Sequence, residues 1–428
     1  MTPLKALGGA SDIFPEEALA WQRIEQEARR ILELYGYREL RTPLIEEAAV
    51  FTRSLGEAAE IVTKQMYLFQ DRGGRAVALR PEGTASVVRA FIEHGLDRTG
   101  GLTRFYYLGP MFRAERPQQG RRRQFHQLGV EAFGSASPYQ DAEVMALLMQ
   151  LLRAWGVERE VLQVNNLGCR KDRPKRVKLL TDYFTEKAAD LCEDCQERLK
   201  KNPIRILDCK NEKCASSSFD PNKVSAQWLC EDCQAYFRKV ETALSQFGVE
   251  RELNSRLVRG LDYYSRTAFE VIHPDLGGVQ NALGGGGRYD ELVEGMGGVA
   301  TPAVGFAVGL ERVLMVRKES HPKSADGLEG PAVFVAPIGE ESVQDGIRFL
   351  TQLRAAGISS VADLDGRPLK RQLEQANKLR CRWVLLRGET ERKTKVVKVK
   401  EMTSGEQTEV AEDSLVEMVK AQMGGKRA

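Results

Sequence analysis

Apolar residues recur at three- and four-residue spacing over residues 17–36, a pattern that predicts an amphipathic helix ending at Gly36. Shorter apolar runs at 76–80, 104–109 and 124–133 predict strands, and helical spacing returns after the last of them. Because several consecutive strands followed by a helix indicate an antiparallel sheet, we expect an α+β fold.

The middle of the chain has a different character, because residues 170–250 are rich in Lys, Glu, Asp and Cys and poor in strand signals. We interpret this segment as a mainly helical insertion. A polar linker with Pro and Gly occupies 319–331, and strand and helix patterns then alternate, which indicates a separate α/β domain. The predicted organisation is a first domain in two parts, 1–169 and 251–325, the insertion at 170–250, and a C-terminal domain at 331–428.

Composition places the chain among ordinary globular proteins, with 42% hydrophobic and 29% charged residues in 428. The net charge is only +3, but a near-neutral total does not exclude nucleic acid, since phosphate binding requires only a local basic patch. We find no secretory signal and no run approaching the roughly 20 apolar residues of a membrane span. We therefore expect a cytoplasmic protein without a membrane partner.

Six of the eight cysteines fall between residues 192 and 233, where the hexapeptide Leu-Cys-Glu-Asp-Cys-Gln occurs at 191–196 and again at 229–234. The repeat contributes two CxxC pairs: Cys192 with Cys195, and Cys230 with Cys233. Such pairs are typical of a structural four-cysteine zinc site, although the separation of the pairs exceeds the usual one and both lie in helical patterns. Zinc and reduced, partly buried thiols therefore both stay open. Cys169 and Cys381 stand alone and are predicted to be core residues.

Two segments carry candidate phosphate and ammonium ligands. Residues 113–123 contain five arginines and no lysine, and arginine offers a planar fork that binds phosphate oxygens bidentately. Glu82 and Thr84 flank a glycine within 80–84, where a carboxylate and a hydroxyl suit an ammonium group. A solvated hairpin and an ordinary turn are the structural alternatives.

Three further segments complete the candidate chemistry. One places Arg259 and Tyr264 close together, and 284–290 begins with four glycines, which let backbone approach a ligand but occur equally in flexible loops. Residues 301–312 predict a strand that leads into a helix carrying Arg312, a position that suits a bound phosphate or a surface ion pair. We find no Ser or Cys nucleophile motif with these segments.

The order of these segments resembles that of the class II aminoacyl-tRNA synthetases. Arg-Pro-Glu-Gly-Thr at 80–84, Phe-Arg-Ala-Glu-Arg at 112–116 and Gln-Phe-His-Gln-Leu-Gly-Val-Glu at 124–131 are similar to motif 2 and its lead-in. Residues 29–43 resemble motif 1, which forms much of the dimer interface in that class, and 301–312 resemble motif 3.

Two more segments, Leu-Val-Arg-Gly-Leu-Asp-Tyr-Tyr at 257–264 and Gly-Gly-Gly-Gly-Arg-Tyr-Asp at 284–290, resemble motifs peculiar to the bacterial-type histidyl-tRNA synthetase family. The resemblance covers nearly the whole chain. It implies an antiparallel-sheet catalytic domain with a helical insertion, followed by an anticodon-binding α/β domain. It also implies a homodimer that uses ATP with Mg²⁺ to ligate histidine to its cognate tRNA through a histidyl-adenylate.

The resemblance further implies roles for individual residues toward ATP. Arg113 and Arg259 would be the catalytic cations on the α-phosphate, where charge develops in the transition state. Glu115 would face the adenine end of the site, and Arg312 would bind the γ-phosphate. The carboxylate of histidine is itself the nucleophile in the first step, which agrees with finding no nucleophile motif in the chain.

The remaining roles concern histidine and tRNA. Glu82 and Thr84 would hold the substrate ammonium group, and Gln127 would lie near its carboxylate. Glu131 and Tyr264 would bracket the imidazole ring, because a carboxylate and a phenol suit its two nitrogens. The residues that would meet the tRNA acceptor end are Arg116, Gln118 and Arg123.

Two alternatives compete with this interpretation. Non-catalytic paralogues of the family act as regulatory subunits in histidine biosynthesis, but they generally lose parts of the two family-specific motifs and the anticodon domain. This chain keeps Arg113, Arg259, Tyr264 and a C-terminal domain. A zinc-dependent nucleic-acid-binding protein would explain the cysteines, but it leaves the arginines and the glycine segments without a role.

Overall fold

An eight-stranded sheet forms the centre of the first of two compact units, Met1–Ala325 and Asp326–Ala428, in the computed structural model of this chain. The structure describes residues 3–56, 59, 61–116, 120–209, 211, 214, 228–259, 263–277, 281–320 and 331–424. The strands of the first unit are β1 (Arg38–Glu39), β2 (Ile45–Glu47), β3 (Tyr67–Gln70), β4 (Ala76–Leu79), β5 (Thr103–Phe112), β6 (Gln124–Phe133), β7 (Val161–Asn166), β8 (Glu252–Leu253), β9 (Ser265–Ile272), β10 (Ala282–Arg288) and β11 (Ala303–Gly309).

The large sheet is mostly antiparallel, with the strand order β1-β5-β6-β11-β10-β9-β7-β8. Only its outer pairs, β1 with β5 and β7 with β8, run parallel. The long β5–β6 hairpin pairs Phe105 with Glu131 and Gly109 with Gln127, so the two predicted histidine ligands of β6 lie at the middle of the sheet. Strands β2, β4 and β3 form a small second sheet beside it.

Helices bury both faces of the large sheet. The α-helices in the described part of this unit are α1 (Pro15–Leu34), α2 (Ala48–Leu55), α3 (Thr84–Glu93), α4 (Pro138–Ala154), α5 (Arg173–Glu186), α6 (Glu193–Lys201), α7 (Glu231–Gln246), α8 (Leu292–Gly295) and α9 (Leu310–Ser320). Successive strand residues point to opposite faces, and accordingly Tyr106 packs in the core with α1, α4 and α7 whereas Tyr107 packs with α3 and α8. Trp155 ties the first core together, since its Nε1 donates to the Ile24 carbonyl at 2.8 Å.

The C-terminal unit is a five-stranded sheet with helices. Its strands are β12 (Val333–Pro337), β13 (Ser360–Ala362), β14 (Trp383–Arg387), β15 (Val396–Glu401) and β16 (Gln407–Ala411), in the order β13-β12-β14-β15-β16. Its helices are α10 (Glu340–Ala355), α11 (Leu369–Lys378), α12 (Glu389–Lys393) and α13 (Leu415–Gly424). β12, β13 and β14 are parallel, as expected for strands joined by helical crossovers, and β15 and β16 continue antiparallel.

The α+β fold class predicted from the sequence is confirmed, and the described part of 170–250 is helical without strands. One local interpretation changes: the glycine run at 284–287 is neither a loop nor a turn but the interior of β10. Helices α2 and α3 and strand β7 were not predicted. The expected linker falls mostly on 321–330, outside the described residues. Among the residues that are described, no helix combines the length and apolarity needed to cross a membrane.

Candidate active site

A cleft of about 900 Å³ opens on the first unit, lined by residues of β6, β9, β10 and β11, by the first turns of α3 and α9, and by insertion residues around α6. It brings together eight of the residues singled out in the sequence: Glu82, Thr84, Arg113, Glu115, Gln127, Arg259, Tyr264 and Arg312. These residues come from five separate segments of the chain, and it is the fold that brings them together.

Glu82 occupies the N-terminus of α3, where backbone N–H groups have no partner within the helix. Its carboxylate accepts hydrogen bonds from the backbone nitrogens of Thr84 at 2.7 Å and Ala85 at 2.8 Å. Burial raises the pKa of Glu82, and these two hydrogen bonds oppose that rise. Each carboxylate oxygen keeps a second lone pair, so the group can still accept from a ligand in the cleft.

Glu131 lies beneath the cleft and is not among the residues that line it. One carboxylate oxygen accepts a 2.7 Å hydrogen bond from the Thr84 hydroxyl, and the other accepts a short hydrogen bond from the Tyr289 hydroxyl. Burial raises the pKa of Glu131 to about 8, even though both hydrogen bonds favour its ionised form. The group is therefore held in position by its neighbours and is readily protonated near neutral pH.

The glycines of β10 and β11 provide room for two of these side chains. A Cβ atom at Gly285 would lie 2.8 Å from Arg259 Nη1, and one at Gly305 would lie 2.0 Å from a carboxylate oxygen of Glu131. Both distances are far too short for a real contact, so any larger residue would displace the functional side chain. The glycine run is a strand whose missing side chains make space for the site.

Arg259 is held by Glu270 of β9, with 2.5 Å between Nη1 and the carboxylate. Burial disfavours charge on this guanidinium, but attraction to Glu270 and to the Tyr264 and Tyr263 phenols outweighs burial and raises the pKa of Arg259. Its Nε is buried without a hydrogen-bond partner among the described residues. A fixed cation with donors to spare suits an anionic ligand in the cleft.

Arg113 follows β5 and is positioned by two contacts. Its Nε donates to the Pro81 carbonyl at 2.9 Å, and its guanidinium lies 5.1 Å from the centre of the Phe125 ring. Burial lowers the pKa of Arg113, with a smaller opposing effect from Glu115 and Glu82. Both terminal nitrogens remain able to donate to phosphate oxygens.

Arg312, on the first turn of α9, spans the cleft wall. It donates to the carbonyls of Gly120 at 3.1 Å and Ala282 at 2.5 Å. Burial and repulsion from Arg121 lower the pKa of Arg312. Arg121 is itself paired with Glu115 at 2.9 Å, so the segment after β5 carries its own charge network into the cleft.

The remaining predicted residues are placed differently. Gln127 lines the cleft with its buried Oε1 lacking a partner among the described residues, as expected for a group that awaits a ligand. Arg123 and Arg116 lie on the segment between β5 and β6 and do not line the cleft; Arg123 donates to the Glu115 carbonyl at 3.2 Å. Gln118 lies outside the described residues.

Three tyrosines near Glu131 were not predicted from the sequence, namely Tyr107, Tyr263 and Tyr289. Tyr263 has its ring centre 4.6 Å from that of the predicted Tyr264, Tyr289 lies 5.6 Å from Tyr263, and Tyr107 packs in the same cluster. Two of them could have been found from the sequence, because Tyr263 and Tyr289 lie in the segments 257–264 and 284–290 that resemble family motifs. The ring of His126, on β6, lies 3.1 Å from the Glu311 carboxylate and packs edge-on against Trp21.

The predicted four-cysteine set, Cys192, Cys195, Cys230 and Cys233, is not the arrangement that forms. The two CxxC pairs belong to different clusters, each completed by other residues, and Cys169 belongs to one of them and is no isolated core residue. Cys209 and Cys214 complete the cluster of the first pair, and Cys169 and Asp172 complete that of the second. Cys381 is buried in the C-terminal unit, as predicted.

A mostly antiparallel sheet, with the arginines of the β5–β6 hairpin and of α9 meeting in one cleft, defines the class of the protein. This is the catalytic architecture of class II aminoacyl-tRNA synthetases. A family model described as Histidyl-tRNA synthetase matches residues 9–313, and one described as Anticodon binding domain matches residues 332–422.

Individual relatives agree with the family models. The Histidine–tRNA ligase of Natranaerobius thermophilus is 44% identical over 416 residues, covering 97% of this chain and 98% of the relative. That of Desulforamulus reducens is 45% identical over 413 residues, covering 96% and 98%. The crystal structure of apo S. aureus histidyl-tRNA synthetase superposes with a TM-score of 0.81 at 33% identity, covering 98% of this chain and 100% of that one. The chain belongs to the histidyl-tRNA synthetase family.

Proposed function

We propose that the chain ligates histidine to its tRNA in two ATP-dependent steps within the 900 Å³ cleft. The observation that carries the proposal is that three arginines, Arg113, Arg259 and Arg312, share this cleft with the Glu82 carboxylate and the Tyr264 phenol. Arginines suit a triphosphate, and the other two groups suit an ammonium and an imidazole. The near-full-length relatives named Histidine–tRNA ligase support the same activity over the regulatory alternative.

Histidine would lie over the junction of α3 and β6. Glu82 and Thr84 would hold its ammonium group, Gln127 would bind near its carboxylate, and Tyr264 would contact one imidazole nitrogen. Glu131 would accept a hydrogen bond from the other nitrogen, through the lone pairs left free by Thr84 and Tyr289. Burial raises the pKa of Glu131 in the free chain, and an imidazole N–H or a nearby ammonium group would favour the ionised carboxylate in the complex.

In the first step, a carboxylate oxygen of histidine attacks the α-phosphorus of ATP, and the bond to the bridging oxygen of pyrophosphate breaks. Arg113 and Arg259 would stabilise the charge that develops on the α-phosphate, and Arg312 would bind the γ-phosphate. Glu115 would face the adenine. ATP enters with Mg²⁺ held mainly by its phosphates, and Glu270 offers a carboxylate in the cleft that suits such an ion.

In the second step, a hydroxyl of the terminal tRNA ribose attacks the acyl carbon and AMP leaves. Arg116 and Arg123 would contact the acceptor end together with Gln118, and the C-terminal unit would bind the anticodon.

We place the reaction in the cytoplasm and in a homodimer built through residues 29–43. The exposed apolar side chain of Leu34 within this segment, and those of Leu44 and Ile45 directly after it, support an interface there.

Histidine-dependent exchange between ATP and pyrophosphate tests the proposal, because it reports the first step alone. Arg259→Ala should lower the exchange rate about 100- to 1000-fold, the usual cost of removing one preorganised transition-state donor. Tyr264→Phe should mainly raise the histidine concentration needed for half-maximal exchange. Arg238→Ala, which removes an exposed arginine on α7, is the matched control and should exchange like the wild type.

Three outcomes would contradict parts of the proposal. Folded wild-type protein that supports no exchange with any amino acid and Mg²⁺-ATP would exclude adenylate formation. Exchange with another amino acid but none with histidine would exclude histidine as the substrate. Sedimentation of the full chain as a single 47.8 kDa species at micromolar concentration would contradict the homodimer.

A further inference from the structure

Seven cysteines and one aspartate of the first unit form two clusters of four ligands. The first, cluster 1, is Cys192, Cys195, Cys209 and Cys214; the second, cluster 2, is Cys169, Asp172, Cys230 and Cys233. In each cluster the four ligand atoms lie within 4.8 Å of one another. We propose that each cluster binds one structural zinc ion, so that the chain carries two.

The dimensions of cluster 1 match tetrahedral zinc. With zinc–sulfur bonds of about 2.3 Å, neighbouring sulfurs of a tetrahedron lie about 3.8 Å apart. The Sγ atoms of Cys192 and Cys209 are 3.8 Å apart. That separation is far longer than a disulfide bond of about 2.05 Å, and all four cysteines are free thiols. Binding would release the thiol protons to solvent, because zinc coordinates the thiolates.

The repeated hexapeptide builds the same local structure in both clusters. Cys192 precedes α6 and Cys230 precedes α7 as the residue that caps the helix, with φ and ψ of −66° and 160° in one and −71° and 159° in the other. Cys195 and Cys233 follow on the first turn and are almost fully buried. Thiolates at a helix N-terminus are favoured by its dipole. Two copies of one turn, each directing two sulfurs to a four-ligand cluster, indicate a common ligand.

Hydrogen bonds to the ligand atoms support the arrangement in cluster 1. The backbone nitrogen of Cys192 lies 3.3 Å from Cys214 Sγ, and that of Asn211 lies 3.4 Å from Cys209 Sγ. Such donors orient thiolates and offset their charge in metal sites. Reduced thiols that packed only as small apolar groups would gain no stability from bringing four sulfur atoms together around one point.

Cluster 2 replaces one cysteine by a buried carboxylate. Asp172 is fully buried, and its Oδ1 accepts from the Cys230 backbone nitrogen at 3.0 Å. Its Oδ2 accepts from the Cys169 nitrogen at 3.2 Å and lies 3.6 Å from Cys169 Sγ. Zinc accepts carboxylate oxygen together with thiolate sulfur. The backbone hydrogen bonds orient the Asp172 carboxylate, and its remaining lone pairs would be available to a zinc ion among the three sulfurs.

The positions of the clusters suggest what the ions stabilise. Cluster 2 lies where the chain leaves β7 and where it returns at α7, and Asn166 of β7 donates to the Cys233 carbonyl at 3.0 Å. Zinc there would fasten both connections of the insertion to the catalytic sheet. Cluster 1 lies within the insertion, and its Cys192 and Cys209 also line the large cleft. Zinc there would hold that part of the cleft wall in place.

The proposal is tested by measuring the zinc content per chain with plasma mass spectrometry. The full-length protein is purified for this without chelator and without a metal-affinity column. We expect two zinc ions per chain. Cys209→Ser and Cys230→Ser should each lower the content by one, because each removes a ligand from a different cluster. Cys381→Ser is the matched control, since it removes a buried cysteine outside both clusters and should leave two.

Cobalt substitution of the wild type tests the coordination without relying on variants. Two Co²⁺ ions per chain with the intense visible absorption of tetrahedral thiolate sites are expected. Freshly reduced protein with eight titratable thiols that takes up no zinc from a slight excess would overturn the proposal. Iron in place of zinc would do the same. Two zinc ions that survive both Cys169→Ser and Cys230→Ser would overturn the site at cluster 2.

Discussion

The hydroxyl of Thr84 donates a 2.7 Å hydrogen bond to the carboxylate of Glu131, and both side chains are buried. The two residues lie 47 positions apart in the chain, one on the first turn of α3 and the other in the middle of β6. The bond therefore couples the part of the cleft assigned to the ammonium group to the part assigned to the imidazole. A change at either residue should be felt at both ends of the bound amino acid.

Thr84→Val tests this coupling, because valine keeps the shape of threonine and removes the donor. A buried acceptor left without its partner costs about 1–3 kcal/mol, so kcat/KM for histidine in pyrophosphate exchange should fall roughly 5- to 150-fold. Thr84→Ser keeps the hydroxyl and should retain most of the activity. Equal activity in the valine and serine variants would show that the hydrogen bond does not matter for histidine binding.

Glu131→Gln should change how stability depends on pH. The pKa of Glu131 is raised from 4.5 to about 8, so between these pH values the folded chain keeps a proton that the unfolded chain has released. The free energy of unfolding therefore decreases as pH rises through this window, by at most about 1.4 kcal/mol per pH unit from this one group. Glutamine has no such proton, and the decrease should be smaller in the variant.

Urea unfolding of the ligand-free protein at pH 6.0 and pH 8.0 measures this difference. The wild type should lose more stability between the two pH values than Glu131→Gln does. Glu16→Gln, at an exposed position, serves as the control and should follow the wild type. Parallel losses in wild type and Glu131→Gln would show that the folded-state carboxyl titrates like that of the unfolded chain.

Short apolar runs predicted several strands of the large sheet, and this signal failed where side chains are absent. β6 begins and ends as its apolar run indicated, at Gln124 and Phe133. The interior of β10 is glycine, which carries no hydrophobic pattern and disfavours strands, so only its close packing against β9 and β11 explains its conformation. α3 was missed although its apolar residues follow helical spacing, and most of its residues are buried.

The functional residues were recognisable because their segments resemble a known family, but their partners were not. No spacing rule relates Cys192 to Cys214 or Cys230 to Asp172, since those pairs depend on how the insertion folds back on β7. Likewise, nothing in the sequence indicates that Tyr289 donates to Glu131. Contacts between distant segments follow from the fold, and a single sequence carries little information about them.

Gly129→Ala should destabilise the catalytic unit, because a Cβ atom there would lie 2.2 Å from Cζ of the buried Tyr107 ring. Overpacking of this kind costs about 1–3 kcal/mol or more in unfolding free energy. Tyr107→Leu combined with Gly129→Ala should cost less than the sum of the single changes, since the clash is then removed. Gly295→Ala, where the added methyl meets nothing within 4 Å, is the control and should be neutral in urea unfolding. Strict additivity of the two changes would contradict the contact.

Arg288, in the glycine-rich segment that resembles a family motif, has a structural role that mutation can separate from catalysis. It is fully buried and donates at 2.5 Å to the equally buried Asp141 of α4, and it also contacts Asp290. Asp141→Asn would leave the buried guanidinium short of one negative partner, and breaking such a pair typically costs about 3–5 kcal/mol. The hydrogen bond that the Tyr236 hydroxyl donates to the other Asp141 oxygen at 3.0 Å would also be weakened.

We expect Asp141→Asn to lower the urea midpoint strongly while the histidine concentration for half-maximal exchange changes little in the protein that stays folded. Neither Asp141 nor Arg288 lines the cleft, so the variant should lose free energy of unfolding but keep its affinity for histidine. Asp182→Asn breaks the exposed 3.1 Å pair with Lys178 on α5 and should change stability by less than about 0.5 kcal/mol. If Asp141→Asn instead unfolded like Asp182→Asn but bound histidine weakly, the motif residue Arg288 would act on the substrate site and not on the core.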